Sequence, residues 1–212
     1  MPKSLPPPLT LDHLVVAAHS LEAGVAHVRD ALNIDMPMGG QHPRMGTHNA
    51  LMSLGPDLFL EVIAIDPNAK PSQRPRWFDL DRFTGEPRLY TWVVGTPDIH
   101  ASLTACGHPD SGQAIEMTRG DLAWLISVAD NGALPLDGAF PIFIQWPTGP
   151  LPAASMTQRG CALVSVDITH PNSHEIVSRL DRSLNDVRVR LHEGALGFEA
   201  VFDTPSGRRV LR

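Results

Sequence analysis

Leu11-Asp-His-Leu-Val-Val-Ala-Ala18 and Leu58-Phe-Leu-Glu-Val-Ile-Ala-Ile65 read as buried strands, and His13 and Glu61 interrupt their apolar runs. A charged carboxylate in such a run is costly unless it is paired, hydrogen-bonded or bound to a metal. Between the two runs, Ser20 is a good N-cap, and Leu21, Val25, Val28 and Leu32 recur at helical spacing. His48–Leu54 reads as a further strand and Gly55-Pro56-Asp57 as a turn. A short strand near Ile34–Met36 or around Gln41 completes strand–helix–three strands over residues 10–66.

The same order returns over residues 89–147. Leu89–Gly95 opens the unit, Thr96 is the expected N-cap with Pro97 in the first helical turn, and Ile99, Leu103 and Cys106 mark the helix face. Ile115–Thr118, Leu122–Val128 and Ile142–Trp146 supply three strands, the last carrying Gln145 inside its apolar run. A third, partial βαββ unit spans 161–212. In it Ala162–Thr169 is a strand, Asn172 and Glu175 form a capping-box-like start, and Ile176, Leu180 and Leu184 continue the helix. Val187–Leu191 and Gly197–Phe202 are its strands, with Arg208–Leu211 a weaker candidate. Residues 1–9 read as an extended tail, and 67–88 and 148–160 as linkers. Units that cannot bury their own faces share a core with their neighbours, so one globular α+β domain is expected.

Composition excludes several classes. The hydrophobic fraction, 42% of 212 residues, suffices for a substantial core. The net charge is -6, and Lys3 and Lys70 are the only lysines, so there is no basic stripe for nucleic acid and no cationic helix for a membrane surface. No apolar run approaches the ~20 residues of a membrane helix. Two cysteines, Cys106 and Cys161, are too few for a disulfide framework and suit a cytoplasmic protein. A Gly-rich phosphate loop, a nucleophile elbow and a zincin helix are all missing from the sequence, so no nucleotide cofactor is expected.

The ordered motifs Leu11-Asp-His-Leu-Val-Val-Ala-Ala-His-Ser-Leu-Glu22, Gly39-Gly-Gln-His-Pro-Arg-Met-Gly-Thr-His-Asn49, Leu58-Phe-Leu-Glu-Val-Ile-Ala-Ile-Asp66 and Phe143-Ile-Gln-Trp146 resemble the glyoxalase-like branch of the vicinal-oxygen-chelate superfamily. The resemblance is strong over about 10–66 and looser through Trp146. It implies tandem βαβββ modules whose curved mixed sheets form an open barrel, closed within one chain or between the two chains of a homodimer. It also implies metal ligands on the first and last strands of each module: His13 and Glu61 from module one, and Gln145 from the last strand of module two. The first strand of module two offers Thr91, where other members often carry His or Glu.

Imidazole with carboxylate and amide oxygens suits Fe(II), Mn(II), Ni(II) or Zn(II). Such an ion acidifies a C–H beside a carbonyl or stabilises an enediolate-like oxyanion, and without it Glu61 is itself a candidate general base. His48 and Asn49 from the neighbouring strand, Arg44 and Arg119 for an anionic group, and Trp124 and Trp146 as walls complete the expected substrate site. The function that follows is an enzyme of isomerase, lyase or dioxygenase type on a small oxygen-rich metabolite. The alternative is a non-catalytic drug- or antibiotic-binding protein on the same fold.

Overall fold

The first apolar run folds as β1 (Thr10–Ala17), and the helix that follows, α1 (Leu21–Leu32), is capped by Ser20, whose Oγ accepts from the Ala23 N–H at 3.2 Å. The helix stops at Asn33, which turns left-handed at φ 55°, a conformation asparagine tolerates better than most residues. The structure is a computed structural model that describes residues 5–120, 122–147, 149, 151–180 and 182–212. Residues 1–4 of the expected tail lie outside the described residues. Leu9 is buried, and its N–H donates to the Ser183 carbonyl at 2.9 Å.

Three strands complete the first module: β2 (Met38–His42), β3 (Thr47–Ser53) and β4 (Phe59–Ile65). The second module is β5 (Arg88–Gly95), α2 (Ile99–Cys106), β6 (Gln113–Arg119), β7 (Leu122–Val128) and β8 (Ile142–Gln145). Helix α2 starts later than the sequence suggests. Asp98 caps it by accepting from the Ala101 N–H, while Thr96 Oγ1 closes a preceding turn on the Asp98 N–H. After α3 (Pro152–Ser155) come β9 (Ala162–Thr169), α4 (Ser173–Leu180), β10 (Val189–His192), β11 (Gly197–Thr204) and β12 (Gly207–Leu211), the last at the weaker candidate strand.

The two modules build one eight-stranded sheet in the order β2-β3-β4-β1-β5-β8-β7-β6. Each module's first and last strands pair in parallel, and the antiparallel β1–β5 pair joins the modules. The sheet curls until its edges face each other across a seam, where the Arg44 guanidinium donates to the Glu116 carbonyl. The result is a nearly closed barrel within one chain.

Strand alternation divides the apolar residues between two layers. Leu14, Val16, Leu60, Val62, Trp92 and Phe143 face outward to the helices. Gly24 lets α1 lie close on β4, since a Cβ there would come within 2.4 Å of Val62 Cγ1. Val15, Ala17, Ile63, Val93, Ile126 and Ile144 face the barrel interior. The third unit forms its own sheet, β10-β9-β11-β12, in which β9 and β10 are parallel and β11 lies on the other side of β9. Its inner residues Val166, Ile168, Phe202 and Leu211 join the outward layer. It therefore covers the outside of the barrel and leaves the interior to the two modules. No described helix is long and apolar enough to cross a membrane.

Candidate active site

His13 and Glu61 meet inside the barrel. His13 sits opposite Phe59 on the parallel strand β4, and Glu61 lies two residues further along the same face, opposite Val15. Their closest atoms, His13 Nε2 and Glu61 Oε2, are 3.5 Å apart, with side chains only 4% and 7% exposed. The Phe59 ring stacks on the imidazole at 4.4 Å. Asn49, on β3, donates from Nδ2 to Glu61 Oε1 at 2.7 Å and accepts at Oδ1 from the Gly40 N–H at 2.8 Å. Those two bonds fix which way the amide points.

Asp12 completes the arrangement. Regular alternation would aim it away from His13, but the β1–β5 register slips between Leu11 and His13, leaving Asp12 as a bulged residue. Bulges re-aim side chains in this way. Asp12 Oδ1 lies 2.6 Å from His13 Nδ1, and Oδ2 accepts from Trp146 Nε1 at 2.9 Å. Burial pulls the His13 pKa down, but its bonds to Asp12 and Glu61 and their negative charges outweigh that and raise it to about 9. Burial pushes Glu61 up, yet His13 and Asn49 more than offset this and hold it below the usual carboxylate range. The pair is thus an imidazolium and a carboxylate at neutral pH.

A second polar group lies at the barrel seam. Arg119, at the end of β6, donates from Nη1 to His42 Nε2 and to Asn49 Oδ1, both at 3.4 Å. A guanidinium has no acceptor atom, so His42 Nε2 is unprotonated and its Nδ1–H donates to Thr47 Oγ1 at 3.1 Å. Trp77 Nε1 donates to the same hydroxyl at 3.1 Å. Burial, helped by the charge of Arg119, lowers the His42 pKa to about 4, so this histidine is neutral.

These groups line a cleft of about 430 Å³, part of it open to solvent, with walls that include Phe59, Trp77, Trp124 and Trp146. Trp124 and Trp146 pack with ring centroids 5.4 Å apart. Pro152 and Met156, from the segment expected to be a linker, also border it. Of the residues expected from sequence, the structure brings together His13, Glu61, Asn49, Arg119, Trp124 and Trp146.

Three others stand elsewhere. His48 belongs to the opposite face of β3 with Ala50 and Met52, which pack in the outward layer, because only the odd-numbered side chains of that strand turn inward. Arg44 is exposed and spends its guanidinium on the seam. Gln145 follows the same parity on β8: Ile144 and Trp146 face the cleft, whereas Gln145 turns to α2 and accepts from the Ile99 N–H at 2.9 Å. Asp12, His42 and Trp77 join the site without being expected from the sequence. The Asp-His dipeptide was the one available signal for Asp12.

The donor set can be tested against the divalent ion that the fold family implies. His13 and Glu61 have the separation of two donors on one ion, and Asp12 behind His13 resembles the carboxylate that orients many ligating histidines. The other half is missing. Gln145 faces away, and the Thr91 hydroxyl is committed to the Gly138 carbonyl at 2.9 Å. Catalytic zinc sites use three protein ligands, and among the described residues no group of three or more His, Cys, Asp or Glu is placed to hold an ion. The described residues do not supply the ligand set that the resemblance implies for a resident divalent metal.

A family model described as a glyoxalase-like domain matches residues 11–184. A hypothetical protein from Staphylococcus aureus, known from its crystal structure, shares 16% identity at a TM-score of 0.62, covering 89% of this chain and 87% of that one. That likeness is one of fold. Methylmalonyl-CoA epimerase from Mycobacterium tuberculosis aligns at 17% identity and a TM-score of 0.43, covering 73% of this chain and 97% of that one. A single-residue variant of the Streptomyces coelicolor epimerase, in complex with 2-nitronate-propionyl-CoA, aligns at 16% identity and a TM-score of 0.41, covering 68% of this chain and 100% of that one. Both superpositions are too loose to transfer residues. None of the curated proteins compared matches the chain.

Proposed function

The chain belongs to the glyoxalase-like domain family, and on that premise we propose that it is an enzyme of isomerase or lyase type that moves a proton on a small oxygen-rich metabolite. The observation that carries this reading is the buried His13–Glu61 pair, oriented from behind by Asp12 and Asn49. Glu61, held ionised, takes a proton from a carbon beside a carbonyl. His13, held protonated, donates its Nε2–H to the carbonyl oxygen. The C–H electron pair becomes the C=C bond of an enol and one proton rests on Glu61; as the enol collapses, His13 takes back the O–H proton and Glu61 returns a proton to carbon. Both side chains are almost fully buried against apolar walls, which strengthens both interactions. The dioxygenase variant lacks support, because it needs a redox metal and the donor set is half complete.

The test is proton exchange. Purified protein in D2O is mixed with small 2-hydroxy and 2-oxo carbonyl compounds, and loss of the α-proton is followed by NMR. Catalysed exchange is expected with at least one compound, and E61Q should slow it by about 10²–10⁴-fold. No catalysed exchange across the set, or an unchanged rate in E61Q, overturns the reading. The aromatic walls favour a second reading, a non-catalytic small-molecule binder. Saturable ligand binding with no exchange of any proton would select it.

A further inference from the structure

Arg119 is a half-buried cation without a charged partner among the described residues. Its two bonds come from Nη1, are long at 3.4 Å, and end on neutral acceptors, His42 Nε2 and Asn49 Oδ1. Its Nε–Nη2 edge, the fork that matches a carboxylate, donates to no described residue. The two carboxylates deeper in the cleft are already engaged, Asp12 by His13 and Trp146, Glu61 by His13 and Asn49.

The strand beneath Arg119 is cut to receive it. Neither Gly39 nor Gly40 has a positive φ, so the backbone does not call for glycine at either position. Space does. A Cβ on Gly40 would lie 3.0 Å from Arg119 Cδ and 3.4 Å from its Nε. A Cβ on Gly39 would lie 2.3 Å from Asn49 Oδ1. The glycine pair lets the guanidinium and the amide settle onto β2.

We infer that this cleft selects a small monocarboxylate with a flat apolar or unsaturated body, its carboxylate on the free edge of Arg119 and its body against Phe59 and the packed Trp124–Trp146 pair. The inference rests on the proposed acid–base reading and names its substrate class. The His13 imidazolium offsets one of the two fixed carboxylates, so the guanidinium neutralises a monoanion and leaves a dianion under-compensated, which disfavours a phosphate ester. Among the described residues no lysine lines the cleft to make up the difference.

The probes are benzoate, its uncharged analogue benzamide, and phenylphosphonate, titrated by calorimetry and tryptophan fluorescence into wild type, R119Q, R119K, G40A and E61Q. Benzoate should bind saturably, and benzamide should bind about tenfold or more weakly. R119Q should lose about tenfold or more of the benzoate affinity, with R119K between it and wild type because lysine lacks the fork. G40A, which leaves the arginine in the chain but displaces it, should weaken benzoate in the same direction while circular dichroism stays native. Equal affinity for benzoate and benzamide overturns the inference. So does full benzoate affinity in both R119Q and G40A, tighter binding of phenylphosphonate than of benzoate, or no saturable binding of benzoate to folded wild type. E61Q separates the two claims. It should retain benzoate binding while losing proton exchange, so an anion-selective cleft without exchange fails only the catalytic reading, and exchange with no Arg119 dependence of binding fails only this one.

Discussion

Asp12, with Glu61, holds the charge on His13 from a position that strict alternation would assign to the other face of β1. His13 and Glu61 were legible in the sequence because a polar side chain in an apolar strand needs a partner. Asp12 was not, because the bulge that turns it exists only once β1 pairs with β5. Its removal should be visible at His13. In D12N, NMR titration of the imidazole should show a pKa clearly lowered from the wild-type value of about 9; an unchanged value would transfer the effect to Glu61 alone. Stability follows from the same protons. The folded state holds the His13 proton to about pH 9 against an ordinary 6.5. That contribution is complete below 6.5 and is lost as the pH rises through about 9. His42 works at the opposite end. Its folded pKa of about 4 means that the unfolded chain binds the proton first, so stability falls as pH drops from 6.5 toward 4. Urea midpoints measured across pH should show both slopes, with the alkaline one missing in H13Q and the acid one shallower in H42Q.

Parity within a strand was readable at the level of elements, but which parity faces the cavity was not. His48 and Asn49 are neighbours on β3, and both read as candidates; pairing with β4 puts Asn49 beside Glu61 and His48 behind the sheet. Gln145 shows the same limit on β8. Its amide has a structural task, accepting the first N–H of α2, one of the donors a helix start leaves unpaired. Q145A should therefore cost about 1 kcal/mol, as loss of a helix cap does, and should leave benzoate affinity unchanged. Chemical denaturation and calorimetry check the two halves, and a lost or weakened ligand would return Gln145 to the site. The segments read as linkers hid part of the cavity because they carry no periodicity. Trp77 and Phe78 come from such a stretch, held by left-handed residues Phe78 and Asp79 and by the Asp79 N–H on the Gly132 carbonyl at 2.9 Å.

Across the whole molecule, repetition of strand–helix–three strands made the paired modules predictable, and the third unit shows where repetition stops informing. Its element order matches the others, but its pairing does not: β9 and β10 are parallel neighbours here, whereas each module pairs its first strand with its last. Element order leaves pairing open, and with it the place of residues 161–212 on the barrel. The packing places it on the outside of the barrel, with β11 against β5 and β12 against α1, and with the Arg212 main-chain oxygen 3.1 Å from His27 Nε2. Phe202 and Trp92 are fully buried in that shared layer. We propose on this ground that residues 161–212 and the barrel unfold together. Phe202→Ala should cost about 3–5 kcal/mol and lower the melting temperature by about 10 °C while calorimetry still records one transition. Because Phe202 lies on the far side of the sheet from His13, benzoate affinity at about 20 °C below the new midpoint should match wild type. Two separate transitions, with only the first moved by the substitution, would instead make the third unit an independent domain resting on a barrel that is stable without it.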